Sequence, residues 1–188
     1  MSQRRIYQDE FPYFVTTKTK EGVWFFDETK CAKLLSDIIL QACQLKKHIL
    51  YAYCIMPDHL HVLVGEDVGS HFDNPTAPTE RCAGVEFEDF PTPNPARVSV
   101  PAVGDGQYNI SQLMYAIKSY FINELRKRYN IDYSIWQKRF NTRIVDTEER
   151  LGNTIKYIKN NPQKAGLPKK YQLFPYMYFD MEKILDLL

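Results

Sequence analysis

The apolar residues of this chain recur at both strand and helix periods, which predicts an α+β fold: an antiparallel sheet with helices packed against one face. Three observations carry that prediction. Short runs rich in aromatic and β-branched residues are separated by stretches of helical spacing. Two of the runs are joined only by Met56-Pro57-Asp58, a connection that fits an antiparallel hairpin. The segments then follow in the order β-α-β-β-α-β-α.

Phe11–Thr17 reads as the first strand, with Pro12 putting its start at or just outside a sheet edge. After the turn at Lys20-Glu21-Gly22, Asp27 is the expected N-cap of a helix over 28–46. There Leu34, Leu35, Ile38, Ile39 and Ala42 share one face. His48–Ile55 forms the second strand and His59–Val64 the third, with Glu66 at its exit. Ser111 is the expected cap of a helix reaching Tyr129, with Leu113, Met114, Ile117, Phe121 and Leu125 on one side. Trp136–Val145 reads as a loop feeding a short fourth strand. Thr147 with Arg150 is an imperfect cap signal for the last long helix, but Glu148 and Glu149 suit its first turn. This helix spans 148–160 and stops near Asn161, because Pro162 disfavours helical geometry in the residue before it. Gly166 lies in the turn that follows. The amphipathic segment Met177–Leu188 either packs back on the domain or offers a dimer contact. The order is close to a ferredoxin-like arrangement in a single domain over 1–188.

Residues 67–108 break the pattern. They hold most of the prolines and show no lasting period, so they read as a long, flexible, acidic surface insert, with Val98–Val103 a short local strand. Net charge is +1, but it is unevenly spread: 2 basic against 8 acidic residues over 66–108, then 13 against 5 over 109–171. A polyanion-binding face can sit behind such a neutral total, and an acidic insert beside it can act as a gate. No apolar run approaches a membrane span, the N-terminus lacks a signal-peptide core, and Cys31, Cys43, Cys54 and Cys82 have no zinc-like spacing. The expected setting is a reduced cytoplasm, with no membrane partner.

Within the third strand His59 and His61 stand two apart, so both imidazoles project from one face while Leu60, Val62 and Val64 project from the other. That suits a divalent metal completed by oxygen ligands from elsewhere. The bland alternative makes one histidine structural and the other solvent-facing. Asp58 falls on the opposite strand face if the alternation begins there. On the last helix Tyr157 and Asn161 are four apart and share a face. If that helix packs beside the central strands, the Asn161 amide oxygen is a third ligand. The Tyr157 hydroxyl is then free to attack a phosphodiester, leaving a 5′-phosphotyrosine link that a later 3′-OH can reverse.

Ile55-Met56-Pro57-Asp58-His59-Leu60-His61-Val62-Leu63, Trp136-Gln137-Lys138-Arg139-Phe140, and the run from Tyr157 through Asn161 and Pro162 to Leu167 together resemble the single-tyrosine HUH transposases. Within these the chain is most similar to the REP-associated tyrosine transposases, relatives of the IS200/IS605-type enzymes. The resemblance covers about residues 8–66 and 109–175. It implies an HUH-endonuclease-type fold, His59 and His61 as metal ligands for Mg²⁺ or Mn²⁺, Tyr157 as nucleophile and Asn161 as the further ligand. The family often has glutamine at that last position. The implied substrate is single-stranded DNA carrying a small hairpin, REP-like or at an insertion-sequence end. The implied activity is cleavage beside it and strand transfer in the prokaryotic cytoplasm, by a monomer or homodimer. The 67–108 insert is not part of the family's compact core.

The basic half agrees with such a partner. Lys118, Arg126, Lys127 and Arg128, then Lys138, Arg139 and Arg143, then Lys156, Lys159 and Lys164 can track a phosphate backbone or be ordinary solvated charges. Trp136 is either a stacking platform or core, and Phe140 is assigned to the core. Three other functions stay open: a domesticated, non-catalytic hairpin-binding or regulatory protein, a metal hydrolase using water, and an RNA-binding module.

Overall fold

A computed structural model describes residues 11–66 and 109–187, all within one compact unit. The insert at 67–108, with its expected strand at Val98–Val103, lies outside the described residues, as does Cys82.

Five strands form one sheet: β1 (Tyr13–Lys18), β2 (His48–Met56), β3 (His59–Glu66), β4 (Asn141–Ile144) and β5 (Met177–Phe179). Their order is β4-β1-β3-β2-β5 and every neighbouring pair is antiparallel. The hairpin prediction holds, with Pro57-Asp58 as the turn joining β2 to β3. That pairing puts β3, and the two histidines on it, at the centre of the sheet.

The helices are α1 (Thr29–Leu45), α2 (Ile110–Tyr129), α3 (Glu148–Lys164) and the short α4 (Met181–Leu185). Strand alternation divides the apolar residues into two cores. Tyr13 and Val15 of β1, Tyr53 and Ile55 of β2, and Leu60, Val62 and Val64 of β3 meet α1 and α2 on one face. Helices α1 and α2 thus cover that face as expected. Cys54, Met56 and Leu63 meet Leu151 and Ile158 of α3 and Ile184 of α4 on the other. The second core is smaller, and beyond it the α3 side of the sheet stays open around the histidines.

Local structure departs from the sequence reading at four points. Asp27 is not the cap of α1. Glu28 holds that position without a side-chain cap bond, while the Asp27 carboxylate accepts from Lys170 Nζ and Tyr171 Oη at 2.6 Å each. Those bonds hold the Asp27 carboxyl below its usual range. Ser111 does not cap α2. Asn109 does, in a reciprocal capping box with Gln112. Third, α3 does not stop near Asn161 but runs through Pro162 to Lys164. The missing proline N–H falls in the last turn, where Ala165 N–H donates to the Asn161 carbonyl and Leu167 N–H to that of Pro162. Fourth, the C-terminal segment contributes a strand, β5, paired with β2; its packing back through Ile184 is one of the two expected outcomes.

Candidate active site

The histidine pair stands on the α3 side of β3. Across the sheet His61 is paired with Thr16 and His59 with Lys18. Residues directly opposite in an antiparallel pair share a face, so all four side chains stand on the same side. Thr16 Oγ1 lies 2.8 Å from His61 Nδ1, and Asp58 Oδ1 lies 2.5 Å from His59 Nδ1. This corrects the expected position of Asp58. It belongs to the turn rather than to the strand's alternation, and its carboxylate reaches the adjacent imidazole.

Those two contacts set the chemistry of the rings. An ionised carboxylate only accepts, so the His59 Nδ1 that meets Asp58 carries a proton, and a neutral ring in that tautomer presents its lone pair at Nε2. The Thr16 hydroxyl can donate to or accept from His61 Nδ1; in the tautomer where Nδ1–H donates, Nε2 likewise carries a lone pair. His61 is 3 % exposed, and its Nε2 is buried with no hydrogen-bond partner. Burial, with smaller contributions from the His59 and Lys18 charges, pushes the His61 imidazole down to about 3, so the ring is neutral at physiological pH.

Helix α3 brings the other two residues to the same place. The Tyr157 ring is 5.2 Å from that of His61 and 5.7 Å from that of Phe14, edge-on to both, and His61 is 4.7 Å from His59. Tyr157 is 43 % exposed, so its hydroxyl-bearing ring is accessible. Asn161, one turn further along α3, lines the same groove, and its amide Nδ2 is buried without a partner. The sequence-predicted set His59, His61, Tyr157 and Asn161 therefore converges from two elements far apart in the chain.

The groove has a volume of about 1510 Å³. That exceeds the roughly 300–1,000 Å³ of a small-molecule pocket and suits an extended ligand. Thr16 and Lys18 of β1 lie along it with the histidines, Asn141 and Arg143 of β4 on one side, and Asn153 and Thr154 of α3 on the other. Asn153 and Thr154 are four and three residues before Tyr157, so helical spacing alone would have found them. Thr16 and Lys18 become visible only through the β1–β3 register.

The predicted cations separate into groups. Arg143 lines the groove, whereas the exposed Lys156, Lys159 and Lys164 of α3 are outside its wall. Arg126 is ion-paired with Asp132 at 2.7 Å, and Glu124 holds Arg128 at 2.8 Å and Lys127 at 3.7 Å. Lys118 donates to the Gln137 carbonyl at 2.9 Å and sits near that of Arg139 at 3.5 Å, fastening α2 to the loop before β4. Trp136 is core, packed against Phe26 and Phe121, and Phe140 is partly buried against the same cluster.

The donor set fits a metal. His59 and His61 each have a hydrogen-bond partner at Nδ1, the usual support of a histidine that ligates through Nε2. A turn of the Asn161 side-chain amide exchanges its unpartnered nitrogen for its oxygen. No cluster of three or more His, Cys, Asp or Glu side chains suited to a metal occurs among the described residues, where the Asn161 amide stands beside the histidine pair in the groove.

Comparison with known proteins agrees with this fold. No family model matches the chain. A Haemophilus influenzae protein (strain KW20 / Rd), provisionally described as a REP-associated tyrosine transposase, is 27 % identical over 173 residues, 86 % of this chain and 81 % of its own. The solved structure of a REP-associated tyrosine transposase bound to a REP hairpin superposes with a TM-score of 0.64 at 18 % identity, over 100 % of this chain and 88 % of that one. The chain shares that transposase's fold. A Deinococcus radiodurans R1 protein, provisionally described as a transposase, aligns at a TM-score of 0.46 and 18 % identity, over 85 % of this chain and 97 % of its own. Among the described residues no helix is long and apolar enough to cross a membrane.

Proposed function

We propose that this protein is a metal-dependent single-stranded DNA endonuclease and strand transferase, a transposase that cleaves beside a DNA hairpin through a 5′-phosphotyrosine link. The observation that carries the proposal is the meeting of an exposed tyrosine with two imidazoles anchored at Nδ1 and a buried amide in one extended groove. The hairpin-bound transposase of like fold and the H. influenzae relative support the choice of substrate.

In this reading His59 and His61, through Nε2, and Asn161, through its amide oxygen, hold Mg²⁺ or Mn²⁺. The ion supplies Lewis-acid stabilisation of the charge that builds on the phosphate oxygens. Thr16 and Asp58 keep both imidazoles in the ligating tautomer. Phe14 and His61 pack edge-on to Tyr157 and set the direction of its hydroxyl. The phenolic oxygen attacks phosphorus, the new O–P bond forms as the bond to the 3′ oxygen breaks, and the proton lost by the phenol is matched by the one gained by the leaving 3′-OH. Bond number and charge are conserved, so an incoming 3′-OH reverses the step without a nucleotide cofactor. Arg143, Lys18 and the amides along the groove bind backbone oxygens and hold the strand in line.

Incubation with a labelled hairpin-bearing single strand and Mn²⁺ tests this. The expected result is a protein–DNA adduct that survives a denaturing gel. Tight hairpin binding with no adduct and no cleavage would instead identify a hairpin-binding protein, and cleavage with no adduct a water-using hydrolase.

A further inference from the structure

We propose that the segment Lys18–Trp24 is a second grip for single-stranded nucleic acid at the His59 end of the groove, Lys18 holding a backbone phosphate and Trp24 stacking an unpaired base beyond it; this rests on the functional reading above. Lys18 pairs with His59 across the sheet, is exposed and lines the groove. It takes part in none of the ion pairs among the described residues. An exposed lysine on the groove wall with no carboxylate partner among the described residues is placed to meet an anion.

From Lys18 the chain leaves the sheet and turns through Glu21 and Gly22, both at positive φ (56° and 68°). The turn is pinned. Thr19 donates to the Asp58 carbonyl from both its N–H (2.8 Å) and its hydroxyl (3.0 Å), Lys20 N–H to the Ile135 carbonyl (2.7 Å) and Phe26 N–H to the Pro57 carbonyl (2.9 Å). The loop is thereby fastened to the two residues that precede His59. It carries Trp24 at 63 % exposure, although Phe26, two residues on, is fully buried. A large planar side chain held outward on a fixed loop loses little further freedom when a flat partner stacks on it. Lys18 on the groove wall, Lys20 two residues on and the outward Trp24 together select a partner whose flat groups alternate with negative charges. An unpaired nucleic-acid strand has that chemistry.

The chain has two tryptophans and Trp136 is 3 % exposed, so emission quenched by a surface ligand reports Trp24. The test titrates the full chain, without divalent metal, with a hairpin oligonucleotide bearing a single-stranded flank. Quenching that saturates together with a gel shift is expected. Trp24→Ala should weaken binding at least about fivefold, with Trp24→Phe retaining it. Lys18→Gln should lower the slope of log affinity against log salt by about one, and far-ultraviolet circular dichroism should be unchanged. Wild-type binding without quenching, or wild-type affinity and salt slope in Trp24→Ala and Lys18→Gln, overturns the grip and leaves the functional reading standing. A wild-type chain that binds no single strand overturns both.

Discussion

Thr16 Oγ1 stands 2.8 Å from His61 Nδ1, directly across the β1–β3 pair, and leaves Nε2 as the buried nitrogen without a partner. A hydroxyl in that position holds the tilt of the ring and can accept from Nδ1–H, the tautomer that leaves Nε2 to a metal. Thr16→Val keeps the side chain's shape and removes the contact. It is expected to lower Mn²⁺ affinity by about 10- to 100-fold by calorimetry with the fold intact. Unchanged affinity would contradict the role.

Asp58 supports His59 in the same way from the turn, at 2.5 Å. Asp58→Ala should weaken Mn²⁺ binding, whereas Asp58→Asn, whose amide oxygen can still accept from Nδ1–H, should retain more of it. Equal losses in the two variants would mean that the carboxylate acts through its charge alone.

The buried imidazole also ties stability to pH. His61 titrates at about 3 in the folded chain and near 6.5 when unfolded, so the unfolded state binds more protons between those values. The stabilisation is complete above about 6.5 and is lost as pH falls towards 3, amounting to roughly 2 kcal/mol by pH 5. His48, lowered mainly by burial, acts in the same direction. Metal-free protein should therefore melt at a lower temperature at pH 5 than at pH 7, with a shallower fall in His61→Phe. Parallel curves would contradict this.

Trp136 is placed in the core with Phe26 and Phe121, not on the binding surface. Trp136→Ala should cost about 3–5 kcal/mol of stability in denaturant melts. Binding measured at a temperature where the variant is folded should be unaltered. Loss of affinity without loss of stability would return Trp136 to the surface.

Much of the fold was legible because its information is local. Alternation marked β1 to β3, the short Met56-Pro57-Asp58 connection pointed to the hairpin, and Thr147, an imperfect cap signal in sequence, does accept from Arg150 N–H. The misreadings have distant or competing causes. Asp27 looks like a cap until Lys170 and Tyr171, more than 140 residues away, claim its carboxylate. The three residues of β5 are too few to show alternation. Pro162 breaks a helix in mid-course, yet in a final turn it removes a single bond. Of the site, His59, His61, Tyr157 and Asn161 were readable from spacing and resemblance. Thr16 and Lys18 were not, because only the register of β1 against β3 puts them beside the histidines. The charge count found a basic half but could not see that Arg126, Lys127 and Arg128 are taken by neighbouring carboxylates.

The measurement that bears most directly on the account is the identity of the amino acid joined to DNA. The chain has 13 tyrosines, and the groove presents Tyr157 beside the histidine pair. Wild-type protein and Tyr157→Phe would each be incubated with a hairpin-bearing single strand and Mn²⁺, digested, and mapped by mass spectrometry. The account predicts one nucleotide-bearing peptide, modified at Tyr157, and none from the phenylalanine variant, which still binds the hairpin. A modified peptide centred on another residue, or an adduct that persists in Tyr157→Phe, would contradict it.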